Sequence, residues 1–160
     1  MCIRDSVNSA SDWSTMLEAF SHFGGPAQNL MYADDQGHIG YHAVGRIPLR
    51  GNAGAPSPLS PVPTAAVGPD AAAHEWAGYI PFEQLPQAFD PKDGVLATAN
   101  ARITPDGYTY PITLNWWSPY RTERIYKVLE TTPGRPLEPR RNLTPADMLG
   151  LQTDVSSRCV

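Results

Sequence analysis

Apolar residues recur at Trp13, Met16, Leu17, Phe20 and Phe23, at spacings of three and four that draw one stripe along a helix. Asp12 precedes the stripe as a cap, and Gly24-Gly25-Pro26 stops it. The period then changes. Ala27 to Ala33 reads as a strand, and Asp34-Asp35-Gln36-Gly37 as a hairpin turn. Ile39, Tyr41 and Ala43 next alternate with His38, Gly40 and His42, as in a half-exposed second strand. Between Arg46 and Ala73 neither period holds. Pro48, Pro56, Pro58, Pro61, Pro63 and Pro69 interrupt the chain, with Gly51, Gly54 and Gly68 between them. That composition predicts a long loop, either a flexible linker or a segment packed on further protein. Trp76, Tyr79, Ile80 and Phe82 form an aromatic knot read as core, followed by a helical turn over Phe82-Glu83-Gln84-Leu85. Val95 to Ala99 is small and apolar, which suits a strand covered on both faces. Helices are expected over Arg121 to Glu130, with Ile125, Val128 and Leu129 inward, and from the capping Thr144-Pro145-Ala146-Asp147 through Gln152. Helices mixed with antiparallel strands make the fold class α+β.

Composition adds bounds to this picture. A length of 160 residues allows one domain with a sizeable core. The net charge of −4 gives no attraction to nucleic acid or to an anionic membrane surface. No apolar run approaches a membrane span, and no signal peptide is visible. The two cysteines, Cys2 and Cys159, lie at the extreme ends; a disulfide between them stays open, with nothing in the spacing to support it.

The chemistry is sparse. The chain has no Gly-x-Ser-x-Gly elbow, no phosphate loop, no cysteine-rich metal spacing and no carboxylate pair assignable to acid and base. Asp34 and Asp35 lack the alternating oxygen ligands of a calcium loop and read as a solvated turn. His38 and His42 share a strand face without a third ligand and read as surface histidines; His22 sits at a helix C-terminus, favourable for a cation. Asn100 stands where the Val95–Ala99 strand runs out, with Arg102 two residues on. An amide NH₂ held there donates to a developing oxyanion without being ionised. The alternative for Asn100 is a turn residue. The catalytic nucleophile, if there is one, lies elsewhere.

Several motifs stand in order: Asn29-Leu30-Met31-Tyr32-Ala33-Asp34, Gly37-His38-Ile39-Gly40-Tyr41, Gly45-Arg46-Ile47-Pro48, Trp76-Ala77-Gly78-Tyr79-Ile80-Pro81-Phe82, Ala97-Thr98-Ala99-Asn100-Ala101-Arg102 and Ser118-Pro119-Tyr120-Arg121. In this order and spacing they resemble the penicillin acylase family of N-terminal-nucleophile hydrolases, which includes acyl-homoserine-lactone acylases. The resemblance runs roughly from Asp12 to Arg158. It implies an amidohydrolase that cleaves the linear amide of N-acyl compounds. A precursor cuts itself and exposes a serine, which attacks the amide carbonyl with its own α-amine as base. That serine is absent here, since no serine stands in the Ser-Asn context that the family cuts.

By the resemblance, Asn100 matches the oxyanion-hole asparagine and Arg121 an arginine that organises the site, with Arg124 a rival for the latter position. Ala101 stands where family members often carry a second asparagine. The resemblance further implies a partial αββα sandwich, an internal piece of the larger (beta) chain over residues 7–158, and a periplasmic or secreted location. Its partners would be an N-acyl amide substrate, the missing alpha chain and the rest of the beta chain. No organic cofactor is implied; a structural calcium is allowed in the full-length protein, with the segment near Pro58 as one carbonyl source. Met1 to Ser6 has no counterpart in the family pattern and reads as a non-native leader, and Cys159-Val160 as a tail of the same kind. Two other readings stay open: a non-catalytic binding domain presenting aromatic clusters and a proline-rich loop, and a scaffold homologue without its nucleophile.

Overall fold

The computed structural model describes residues 3–50, 76–110, 112–113, 115–130 and 143–156. Among the described residues four helices, α1 (Ile3–Asn8), α2 (Trp13–Ser21), α3 (Tyr120–Glu130) and α4 (Pro145–Gln152), accompany five strands, β1 (Gln28–Ala33), β2 (Ile39–Val44), β3 (Pro48–Arg50), β4 (Trp76–Tyr79) and β5 (Gln87–Phe89). Strands β1, β2 and β5 form one sheet in that order, and β3 pairs with β4 in a second. The mixture of helices and sheet is that expected from the periodicity.

Two compact units divide the chain. The first comprises Met1–Leu30, His42–Gln87 and Thr104–Asn115. In it α1 packs on α2, and α2 begins at a reciprocal cap. The Thr15 amide donates to Asp12 Oδ1 at 2.8 Å, and the Asp12 amide donates to Thr15 Oγ1 at 3.2 Å. Most of the segment expected to be a non-native leader thus lies in helix α1. Strands β3 and β4 are antiparallel, with Pro48 opposite Tyr79 and Leu49 opposite Gly78. The register then slips, so that Arg50 faces Trp76. Buried Ala19, Ala43, Val44, Ile80 and Leu85 supply the core of this unit.

The second unit comprises Met31–Tyr41, Ala88–Ile103 and Trp116–Val160. Its hairpin turn is set by Asp34, whose Oδ1 accepts the amides of Gln36 at 3.0 Å and His38 at 2.9 Å. Oδ1 is thus committed to the backbone, as in an Asx-type turn, while Oδ2 accepts the Tyr32 hydroxyl at 2.9 Å. Helices α3 and α4 pack together, and Leu129 of α3 is buried. Helix α4 starts at a second reciprocal cap. The Thr144 amide donates to Asp147 Oδ2 at 2.9 Å, and the Asp147 amide donates to Thr144 Oγ1 at 3.3 Å. Since α4 buries none of its residues, this cap carries much of its order. Thr144→Ala is expected to cost α4 about 1 kcal/mol, read as faster amide exchange over Ala146 to Met148 with α3 unchanged.

Five expectations need correction. No strand forms over Val95–Ala99, and Asn100 ends no strand. A run of small apolar residues signals shelter, and here a cavity wall shared with α3 supplies it without strand pairing. The half-exposed pattern of β2 is also wrong: Gly40 through Val44 are all buried, with the His42 ring stacked on Phe82 and Tyr41 in a cavity wall, so both faces of the strand are covered. His42 is therefore not a surface histidine; it is 1% exposed. The aromatic knot is only partly core: Ile80 is buried, whereas Trp76 is 58% exposed. Within the predicted 46–73 loop, Pro48–Arg50 forms β3. The Pro58 and Pro61-Val62-Pro63 segment, Cys2, and the 159–160 tail lie outside the described residues.

Candidate functional site

The site is built on the irregular segment after Val95. Asn100 has φ of +64°, in the left-handed region that asparagine tolerates far better than β-branched residues. This bends the chain and presents the Asn100 side chain at the surface, where it meets the first turn of α3. Arg121 Nη2 donates to Asn100 Oδ1 at 2.6 Å and to the Ala99 carbonyl at 3.1 Å. One guanidinium nitrogen thus clamps both the side chain and the backbone of the bend.

This pairing fixes which end of the amide faces which way. A guanidinium has only donors, so it binds the oxygen of the carboxamide and leaves the NH₂ to donate elsewhere. The positive charge also draws density toward that oxygen, which strengthens the NH₂ as a donor. The result is an oriented neutral donor at a polar surface.

Beside the bend lies a cavity of about 230 Å³. Leu96 to Ala99 and Ala101 to Ile103 form its walls on either side of Asn100, closed by Tyr41, Thr122 and Tyr126. Burial pushes the Tyr41 phenol up to about 12, so it stays protonated at any physiological pH. Thr122 Oγ1 is buried without a hydrogen-bond partner among the described residues.

The two candidate arginines separate. Arg121 reaches Asn100, whereas Arg124 binds Asp154 through Nε at 3.1 Å and Nη2 at 2.7 Å. Arg102 is exposed and lines the cavity. The Ala99 carbonyl, Thr122 and Tyr126 carried no sequence signal for the site, and Tyr41 entered the sequence reading only as a strand and motif residue. The Arg124–Asp154 pair spans 30 residues, which no local pattern reports.

His38 and His42 have partners of their own. His38 Nδ1 sits 2.6 Å from Asp90 Oδ2 and stacks on Phe89. The Asp90 hydrogen bond and charge push the His38 pKa up. His42 Nδ1 donates to the Ala43 carbonyl at 2.6 Å and the ring stacks on Phe82 at 4.3 Å, while burial pushes its pKa down. Among the described residues no group of three or more His, Cys, Asp or Glu could hold a metal. Opposite pH effects follow. His38 contributes stability that is complete below the ordinary imidazole pKa of ~6.5 and is lost as pH rises through its raised folded value. His42 contributes stability that is complete above ~6.5 and is lost as pH falls toward its depressed folded value. His38→Gln should therefore make stability fall more steeply on acidification from about pH 8 to pH 5, as read by urea midpoints. Unchanged steepness would remove His38 from the balance.

The family model for penicillin amidase matches residues 6–159. The chain is 32% identical over 124 residues to penicillin acylase 2 proenzyme of Pseudomonas sp. (strain SE83), covering 78% of this chain and 15% of that protein. It is 34% identical over 122 residues to an acyl-homoserine lactone acylase of Pseudomonas fluorescens, covering 75% of this chain and 13% of that protein. Among solved structures, thermostable penicillin G acylase from Alcaligenes faecalis matches with a TM-score of 0.57 and 28% identity, over 78% of this chain and 20% of that one. The chain thus spans only about 15% of the length of the first of these relatives.

Proposed function

The chain belongs to the penicillin amidase family, and on that premise we propose that it supplies the oxyanion-stabilising part of an N-terminal-nucleophile hydrolase acting on N-acyl amides. The observation that carries this reading is the bond from Arg121 to Asn100 Oδ1 at 2.6 Å, which leaves the amide NH₂ oriented to donate. In the proposed reaction a serine at the processed N-terminus of a longer protein attacks the amide carbonyl. Its α-amine, with a reference pKa near ~8, accepts the hydroxyl proton near neutral pH. The carbonyl oxygen becomes an oxyanion, and the Asn100 NH₂ donates to it, an interaction worth about 3–4 kcal/mol in the transition state. The oxyanion then collapses, the C–N bond breaks as the α-ammonium returns its proton to the departing amine, and water hydrolyses the acyl-enzyme to a carboxylate and free serine. Arg121 holds the donor and contacts no reacting atom.

The same reading carries further proposals. The chain would be part of an αββα sandwich, completed by an alpha chain and the rest of a beta chain. The substrate would be a penicillin or an acyl-homoserine lactone, the classes named by its relatives. A periplasmic or secreted location and a structural calcium ion in the full-length protein accompany it, both by family resemblance.

The purified 160-residue chain should release no chromophore from a chromogenic acyl amide, whereas the longer protein carrying it should do so. Asn100→Ala in the longer protein should lower kcat with little change in KM, since the donor acts on charge that exists only in the transition state. Turnover by the isolated chain, or full turnover by the Asn100→Ala protein, would sink the reading. A second reading, a non-catalytic interaction domain, draws on the exposed Trp76 and Tyr79, which pack edge to face at 6.1 Å with Arg46 over the Tyr79 ring. Full turnover by the Asn100→Ala protein, with a partner lost on Trp76→Ala, would favour it.

A further inference from the structure

Arg121 occupies the first turn of α3. A cation is disfavoured there by the helix dipole, and the first four amides of a helix lack partners within it. Such a turn frays unless the helix is held from elsewhere. One turn along, Arg124 is gripped. Its Nε and Nη2 donate to the two carboxylate oxygens of Asp154 at 3.1 and 2.7 Å, and Nη2 also donates to Ser156 Oγ at 3.2 Å. Asp154 is itself fixed, because its amide donates to the Leu151 carbonyl at 3.2 Å and its Oδ1 accepts the Ser156 amide at 3.0 Å. The Asp154 side chain is 19% exposed, well sheltered for a carboxylate.

We propose that Asp154 is a positioning residue for the Asn100 donor: through the Arg124 fork it anchors α3 to the end of α4 and so keeps Arg121 on Asn100. This rests on the role given above to Asn100. Two arginines three residues apart on one helix compete for any acceptor nearby. A carboxylate holds a guanidinium more strongly than a neutral amide does, so Asp154 keeps Arg124 and leaves Asn100 to Arg121. Loss of the Asp154 charge frees α3 to shift and frees Arg124 to compete.

The test compares Asp154→Asn, which removes the charge, with Asp154→Glu, which retains it. In the intact chain, ¹⁵N-edited NMR follows the Asn100 carboxamide, the Arg121 guanidinium and the amides of Arg124 and Ile125. Asp154→Asn should speed exchange at these three residues of α3 by roughly tenfold and shift the Asn100 carboxamide, with Asp154→Glu restoring most of both. In the longer protein it should lower kcat and leave KM unchanged. Should Asp154→Asn unfold the chain, Arg124→Lys keeps the charge pair, loses the fork and carries the same readouts. Changes confined to Ser156 and α4, with Asn100 and Arg121 signals unmoved, would overturn the proposal. So would a normal kcat in Asp154→Asn where Asn100→Ala is impaired. An Asn100→Ala protein of full activity instead removes the catalytic role of Asn100 and leaves the NMR coupling to be judged by itself.

Discussion

Asn100→Asp is expected to keep its arginine and lose its chemistry. Aspartate also tolerates the left-handed backbone at this position, where φ is +64°. Its carboxylate gives Arg121 an ionic partner in place of the carbonyl oxygen now 2.6 Å away. The folded chain should therefore be no less stable. The NH₂, however, is gone, and a negative charge faces the point where the oxyanion develops. Turnover of a chromogenic acyl amide by the longer protein should fall by about 10²–10³-fold, the usual cost of one oxyanion donor. Asn100→Ala should lose turnover to a similar extent and also leave Arg121 only its bond to the Ala99 carbonyl, so the pair separates positioning from donation. If Asn100→Asp turns over at the parent rate, the amide takes no part in the reaction.

Gly45→Ala should be among the most destabilising substitutions in the chain. Gly45 has φ of +109°, and a Cβ there would lie 2.7 Å from the Ala27 Cα and 3.1 Å from its nitrogen. Both neighbours are backbone, which yields only by moving a strand end. Strain at this φ and overpacking together suggest about 2–5 kcal/mol, a large share of the 5–15 kcal/mol typical of a folded domain. Gly94→Ala is the control. Its φ of +65° is also left-handed, but nothing lies within 4 Å of the added Cβ. That variant should lose only about 1–2 kcal/mol from backbone strain. Equal melting temperatures for the two would show that the contact with Ala27 carries no weight.

The legible parts of this protein are those governed by near neighbours. The α2 cap at Asp12, the Asp34 turn, the 3₁₀ turn at Phe82–Gln84 and the Thr144–Asp147 box all lie where the residues within four positions put them. The exposure of Trp76, the burial of His42 and the irregular course of Val95–Ala99 were misread. Each depends on what lies against the segment, and period alone does not report that. Arg121 and Arg124 illustrate the limit within the site. Three residues apart on one helix, they have the same composition and nearly the same local context. Their partners, Asn100 and Asp154, lie 21 and 30 residues away in opposite directions along the chain.

From sequence alone came the helix stripes, the caps, the hairpin and the ordered motifs that mark the family, because each is written in short-range spacing. Tertiary structure alone decided that β2 is covered on both sides, which arginine meets Asn100, and that a cavity opens beside the bend. The physical reason is that burial and hydrogen-bond partnership are properties of a place in space. A chain acquires such places only once segments distant in sequence have packed together.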